Sequence, residues 1–303
     1  MTTSPFLDLP VLGAQASAEV AAKLRELGDT SSATTIEAAA SNGPTKFGGA
    51  KTWWPFQDRA WQHTAHAFGF LPAKAGSSVI QPVGNLEADA TLRNSRLKIA
   101  LNRLRVADYP GRGMHRVLID FYARNQVPGH AEDLHFNAAY RVREGQQAPI
   151  AGYPIFIGLN VGSEGVAFRC HTVNVKNDAD EALLDFLEGD VFRSGLKLAT
   201  SAQPAIAPLA NLALGITKSV AKRLRNVSVQ DFYLGLDFTG TTMGARLAIG
   251  DYIAVQIPES FTAIWRWEEW IYDGATGLIV SKSDASKLIP YNYVVFGVSR
   301  YED

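Results

Sequence analysis

The chain is predicted to be a mainly β protein: an antiparallel β-sandwich with a helical N-terminal arm and one amphipathic covering helix. Three observations predict this. Apolar and polar residues alternate at period two over many short stretches between Arg96 and Ser299. Glycine- and proline-bearing turns separate those stretches. Helical spacing is confined to a few short segments, so few crossovers lie between the strands.

The segment Gly152–Val175 carries the pattern most clearly. Ile155, Ile157, Leu159 and Val161 share one face, then Gly162-Ser163-Glu164-Gly165 makes a turn. Val166, Phe168 and Cys170 follow on one side, with Arg169, His171 and Val173 on the other. The two runs read as a hairpin. Upstream, Leu97, Ile99 and Leu101 share a face, whereas Leu104 and Val106 take the opposite parity, which predicts a bulge near Asn102 and Arg103. Val117, Ile119, Phe121 and Ala123 form the next apolar set. Leu134, Phe136, Ala138, Tyr140 and Val142 form another, with His135, Asn137, Arg141 and Arg143 facing outward. In architecture alone, the Leu97-to-Arg124 pair resembles the opening of a C2-type sandwich. Further strands are expected at 229–238, 246–257, 264–272, 278–281 and 293–299.

Residues 1–50 read as the helical arm, or as a segment ordered by a partner. Val20, Leu24 and Leu27 are at helical spacing and Gly28 stands at the C-cap. Residues 51–303 read as the sandwich, with inserted helices near 55–68, 180–188 and 208–225. The loop Gly43–Thr52 only superficially suits phosphate. Gly49 and Ala50 precede Lys51, and Pro55 breaks the helix such a loop needs.

Composition sets outer limits. At 303 residues, with 47% hydrophobic and 19% charged, the chain can bury a substantial core. A net charge of −1 carries no global footprint for nucleic acid. Cys170 is the single cysteine, which rules out an internal disulfide and a cysteine-rich zinc module. No basic-then-apolar leader opens the sequence, and the expectation is a cytoplasmic protein.

Four groups of residues invite a chemical reading. His130, Glu132 and His135 offer two imidazoles and a carboxylate for zinc, with His63, His66 or Asp133 to complete the shell. Asp108, Asp178, Asp180 and Asp237 could pool oxygens for calcium from several loops. The helix at 208–225 has an apolar stripe containing Leu209, Leu212 and Ile216 and a basic end of Lys218, Lys222, Arg223 and Arg225. That composition suits an anionic membrane, a partner's groove or a sheet edge. Trp265, Trp267 and Trp270 place three indoles in six residues, with Trp265 and Trp267 expected on one strand face. The neighbouring Glu268 and Glu269 oppose nucleic-acid phosphate.

No G-x-S-x-G elbow occurs, and Cys170 and His171 point to opposite faces of one strand. The leading expectation is therefore a non-enzymatic interaction or assembly subunit acting through its surface and N-terminal arm, with a protein partner or as a homo-oligomer. A membrane-associated effector using helix 208–225 is the alternative, and a metal-dependent hydrolase the second alternative.

Overall fold

The computed structural model describes residues 5–40, 59–74, 76–127, 129–150, 152–189, 194–198, 206–239 and 245–302, the side chains of 206–210 excepted. The loop Gly43–Thr52 lies outside the described residues. Two sheets face one another. The larger runs, in spatial order, β2 (Gln81–Pro82), β1 (Ala65–Pro72), β12 (Gly250–Ile257), β15 (Tyr293–Arg300), β3 (Arg96–Val106), β7 (Tyr153–Asn160) and β9 (Leu196–Lys197), with β6 (Gln146–Gln147) also on β3. The smaller runs β11 (Ala245–Arg246), β10 (Val227–Asp237), β8 (Gly165–Val175), β4 (Met114–Val127) and β5 (His130–Arg143). A separate hairpin pairs β13 (Trp270–Asp273) with β14 (Leu278–Ser281). Most pairing is antiparallel, but β10–β11 and β7–β9 are parallel, so the large and small sheets are mixed.

Period-two alternation decides what lies between the sheets. Phe121 on β4 meets Phe156 on β7 at 6.3 Å and Phe296 on β15 at 5.3 Å, and Phe168 on β8 meets Phe296 at 5.4 Å. These cross-sheet aromatic contacts sit inside one continuous apolar core. The bulge falls where the phase change places it. Val295 opposes Arg103 and Phe296 opposes Leu101, so Asn102 is the extra residue. Its Nδ2 donates to Asp251 at 2.7 Å.

Gly152–Val175 is not a hairpin. Its first strand, β7, belongs to the large sheet and its second, β8, to the small one, so the turn between them crosses the core. Gly165 permits the crossing. It has φ +138°, and a Cβ there would stand 2.0 Å from the carbonyl oxygen of Leu236. β3 and β4 likewise lie in opposite sheets, which removes the pairing behind the C2 resemblance. Period two alone cannot say which sheet a strand joins.

The helix expected near 55–68 is also corrected. Within the described residues, Ala60–Gln62 is a single 3-10 turn and β1 begins at Ala65. The aromatic residues there serve a strand: Phe70 points into the main core, while Ala67 joins an apolar cluster on the opposite face.

The N-terminal helices are α1 (Ser17–Glu26) and α2 (Thr30–Ala40). Glu19 accepts from the Ala16 N–H at the start of α1, and Gly28 at φ +80° follows its end. Val20, Leu24, Ala33 and Ile36 bury in the same core cluster as the sheets. Two further helices, α3 (Glu181–Leu187) and α4 (Ile206–Ala221), pack on the outer face of the small sheet. There Leu184, Leu187 and Val220 join Leu118, Ala139 and Val173. Asn226 ties the two helices together. Its Nδ2 donates to Asp180 at 2.7 Å and to the Val220 carbonyl at 2.8 Å, and its Oδ1 accepts from the N–H groups of Lys176 and Asn177.

Candidate functional site

The outer face of the small sheet divides into an apolar half beneath α3 and α4 and a polar half beside it. Strand register builds the polar half. Asn137 on β5 stands opposite Asp120 on β4, Asp120 opposite His171 on β8, and His171 opposite Asp231 on β10. The next row along is His135, Tyr122, Arg169 and Tyr233 on the same four strands. Adjacent strands lie about 4.8 Å apart, so each row is a line of touching side chains.

Asp120 is the centre and is fully buried. His135 Nδ1 lies 2.7 Å from its Oδ1, Thr217 of α4 donates to its Oδ2 at 2.9 Å, and Asn137 donates to the same Oδ2 at 3.4 Å and to Thr217 at 2.9 Å. A buried carboxylate without such partners would cost several kcal/mol, so the three donors are what make the position tenable. Alongside, His171 Nε2 is 3.0 Å from Ser228 Oγ. Burial lowers the His171 pKa to about 4, with Arg169 adding to the shift and Asp120 opposing it. Burial and the neighbouring Asp133, to which the hydroxyl donates at 2.7 Å, push the Tyr122 phenol up. His171 Nδ1, Arg169 Nη1 and Asn137 Oδ1 are buried without a hydrogen-bond partner.

The N-terminal segment roofs this half. Phe6 stacks on the His171 ring at 4.2 Å and meets His135 edge-on at 6.3 Å. Asp8 pairs with Lys222 at 2.9 Å and Lys218 at 3.3 Å, and those pairs hold its carboxyl below the usual range.

Ser228, His171 and Asp231 have the residue types of nucleophile, base and orienting acid. The geometry does not assemble them: His171 Nδ1 is 4.0 Å from Asp231, and Phe6 covers the imidazole.

The sequence-derived metal candidates separate. His130 and Glu132 share one face of β5 and His135 lies on the other, because their numbers differ in parity. Glu132 accepts from Asn125 at 2.9 Å, Asp133 from Tyr122, and His135 belongs to Asp120. His63 ends a 3-10 turn, while His66 sits on β1 of the other sheet. Among the described residues no group of three could hold a metal ion. The described side chains thus do not bring the expected zinc ligands together. The calcium candidates separate too, most of them held by cations of the chain: Asp108 by Arg59, Asp178 by Arg116, Asp180 by Arg223. Asp237 ends β10 with its pKa raised by burial.

On α4, Ile216 is half-buried and Leu212 exposed, and Leu209 lies where side chains are not described. Lys218 and Lys222 hold Asp8, Arg223 holds Asp180, and Arg225 lies 3.8 Å from Asp178. The basic end of the helix is thus engaged within the chain. No helix among the described residues is long and apolar enough to cross a membrane.

The tryptophans lie on the opposite side of the molecule, over the outer face of the large sheet. A 3-10 turn at Trp267–Glu269 breaks the expected strand, and this alters their relation. Trp265 stacks on Trp270, with ring centroids 6.2 Å apart, and meets Trp267 edge-on at 5.5 Å. Trp267 is buried and donates from Nε1 to the Phe68 carbonyl at 2.9 Å. It lies directly on Gly69, where any Cβ would stand 2.8 Å from the indole. Trp265 and Trp270 are half-buried, and beside them Ile264 is 65% and Phe261 39% exposed.

The polar rows and the Phe6 roof escaped sequence reasoning. Alternation marked His135, Asn137, Arg169 and His171 as one face, but nothing local signalled that this face would be covered.

No family model, curated protein or solved structure matches the chain.

Proposed function

We propose that the chain is a non-enzymatic interaction or assembly subunit that docks on a protein partner through the ridge at 261–270. The exposed Ile264 and Phe261 beside the stacked Trp265–Trp270 pair carry this reading. Apolar and aromatic side chains clustered at the surface of a chain with an ample core mark a contact surface. Arg266, Glu268 and Glu269 around them supply the polar rim that such interfaces use. The Trp267–Gly69 contact anchors the ridge, so little order must be gained on docking.

The test combines light scattering over a concentration series with capture of partners from the native host, using the chain and its Ile264→Asp variant. The expected result is a defined complex that Ile264→Asp abolishes while the melting temperature is unchanged. A monomer with no recoverable partner, or a complex that the folded variant retains, sinks the proposal.

A further inference from the structure

The contacts of Phe6 and Asp8 are those of a bound peptide. Phe6 is buried against His171, Asp8 sits between Lys218 and Lys222, and Leu7 between them is 68% exposed. One side chain is buried, the next faces water, and the third is held by charge. The backbone closes on itself in a local turn, with the Leu9 N–H donating to the Phe6 carbonyl at 2.8 Å.

What lies beneath Phe6 points the same way. His171 Nδ1 and Arg169 Nη1 are buried polar atoms without a hydrogen-bond partner, on adjacent rows of the same face, with the Asp231 carboxylate 4.0 Å from the first and 3.6 Å from the second. A permanent core element would normally satisfy such groups, because each costs about 1–3 kcal/mol when left unmade. A phenyl ring has no acceptor to offer them. A ligand carrying an additional acceptor beside its aromatic group would satisfy Arg169 Nη1, and His171 Nδ1 in the tautomer that protonates it.

We propose that the groove between α4 and the polar half of the small sheet is a recognition site for an acidic, aromatic peptide segment of a partner protein, and that Phe6-Leu7-Asp8 occupies it in cis. Charge complementarity selects this occupant. The groove presents Lys218 and Lys222 at one end, and the chain's own Asp8 already fills that end, whereas Arg169 at its floor is paired with Asp231 at 3.6 Å. In this scheme the N-terminal segment is a competitor that keeps the groove filled until a partner displaces it. The inference does not depend on the tryptophan ridge, which lies over the other sheet.

The probe is a fluorescein-labelled peptide with the sequence of residues 1–9, and the host is the full chain carrying Phe6→Ala and Asp8→Ala together. The expected result is saturable binding to that host and about tenfold weaker binding to the unmodified chain. Binding should also weaken about tenfold when the peptide carries Asp8→Lys, or when the host also carries Lys218→Glu and Lys222→Glu. A folded host that does not bind, or that binds a scrambled peptide equally well, overturns the proposal. So does a wild-type dimer in light scattering that Phe6→Ala dissociates, since the occupant would then be a second copy exchanging its arm. Should the host fail to fold, Lys218→Glu with Lys222→Glu in the otherwise native chain decides the matter. Faster deuterium uptake at residues 6–9 supports a displaceable segment, and unchanged uptake overturns it.

Discussion

The two outer faces of the sandwich are covered in different ways. On the large sheet, Trp267, Ile279 and Ile289 lie over Ile253, Val255 and Val295, with Trp267 Nε1 paired and few other polar atoms involved, of which Trp265 Nε1 and the Tyr293 hydroxyl lack a hydrogen-bond partner. On the small sheet, an apolar half under α3 and α4 adjoins a buried polar group of Asp120, His135, Asn137 and His171. The first cover stabilises by area removed from water. The second includes groups that water would solvate better, so its net contribution depends on hydrogen bonds being made in full. A cover of the first kind is a satellite core, whereas one of the second kind has requirements that a different occupant can meet better.

The largest expected effect tests the apolar cover. Trp267→Ala should cost about 4 kcal/mol, through lost burial and a cavity over Gly69. Urea unfolding would show it, and a loss below about 1 kcal/mol would mean that the hairpin collapses onto the sheet without it.

Next comes the centre of the polar row. Asp120→Ala should cost about 3 kcal/mol, because His135 and Thr217 stay buried without their acceptor. If Asp120→Ala proves neutral, water enters this face and the contrast between the two covers fails.

The pH dependence sharpens the comparison further. Burial lowers the pKa values of His171, His66 and His115 to about 4 in the folded chain. The unfolded chain binds those protons first, near the ordinary histidine value of about 6.5. Stability is therefore fully present above about 6.5 and falls as the pH drops towards about 4, by roughly 1.4 kcal/mol per pH unit for each such histidine. Asp120 and Arg169 act on His171 in opposite senses, and burial exceeds both. Urea midpoints compared at about pH 7 and about pH 5 test this; equal midpoints, after carboxylate titration is allowed for, would contradict it.

Lys222→Ala should have the smallest effect. Its pair with Asp8 is open to solvent, so melting temperature should scarcely move, although deuterium uptake at residues 6–9 should rise. A large loss of global stability would make the N-terminal segment an integral part of the core.

Alternation and turn chemistry were enough to determine the β class, most strand positions, the inward-facing residues of β4, β5 and β8, and the bulge at Asn102. Each follows from the two-residue period of a strand and from a phase change visible along the chain. The assignment of strands to sheets was not in the sequence. β7 and β8 look like a hairpin because local pattern is blind to whether a turn folds back within one sheet or crosses to another. Nor was the cover of the second face. His135, Asn137 and His171 read as outward polar residues, which they are relative to the main core, yet they are buried because Phe6 and α4 arrive from distant parts of the chain. The tryptophans read as alternating strand residues until the 3-10 turn at Trp267–Glu269, set by docking against Gly69, turned Trp265 onto Trp270. Local geometry fixes which way a side chain points along its own strand, and only contacts made far away in sequence decide what it meets there.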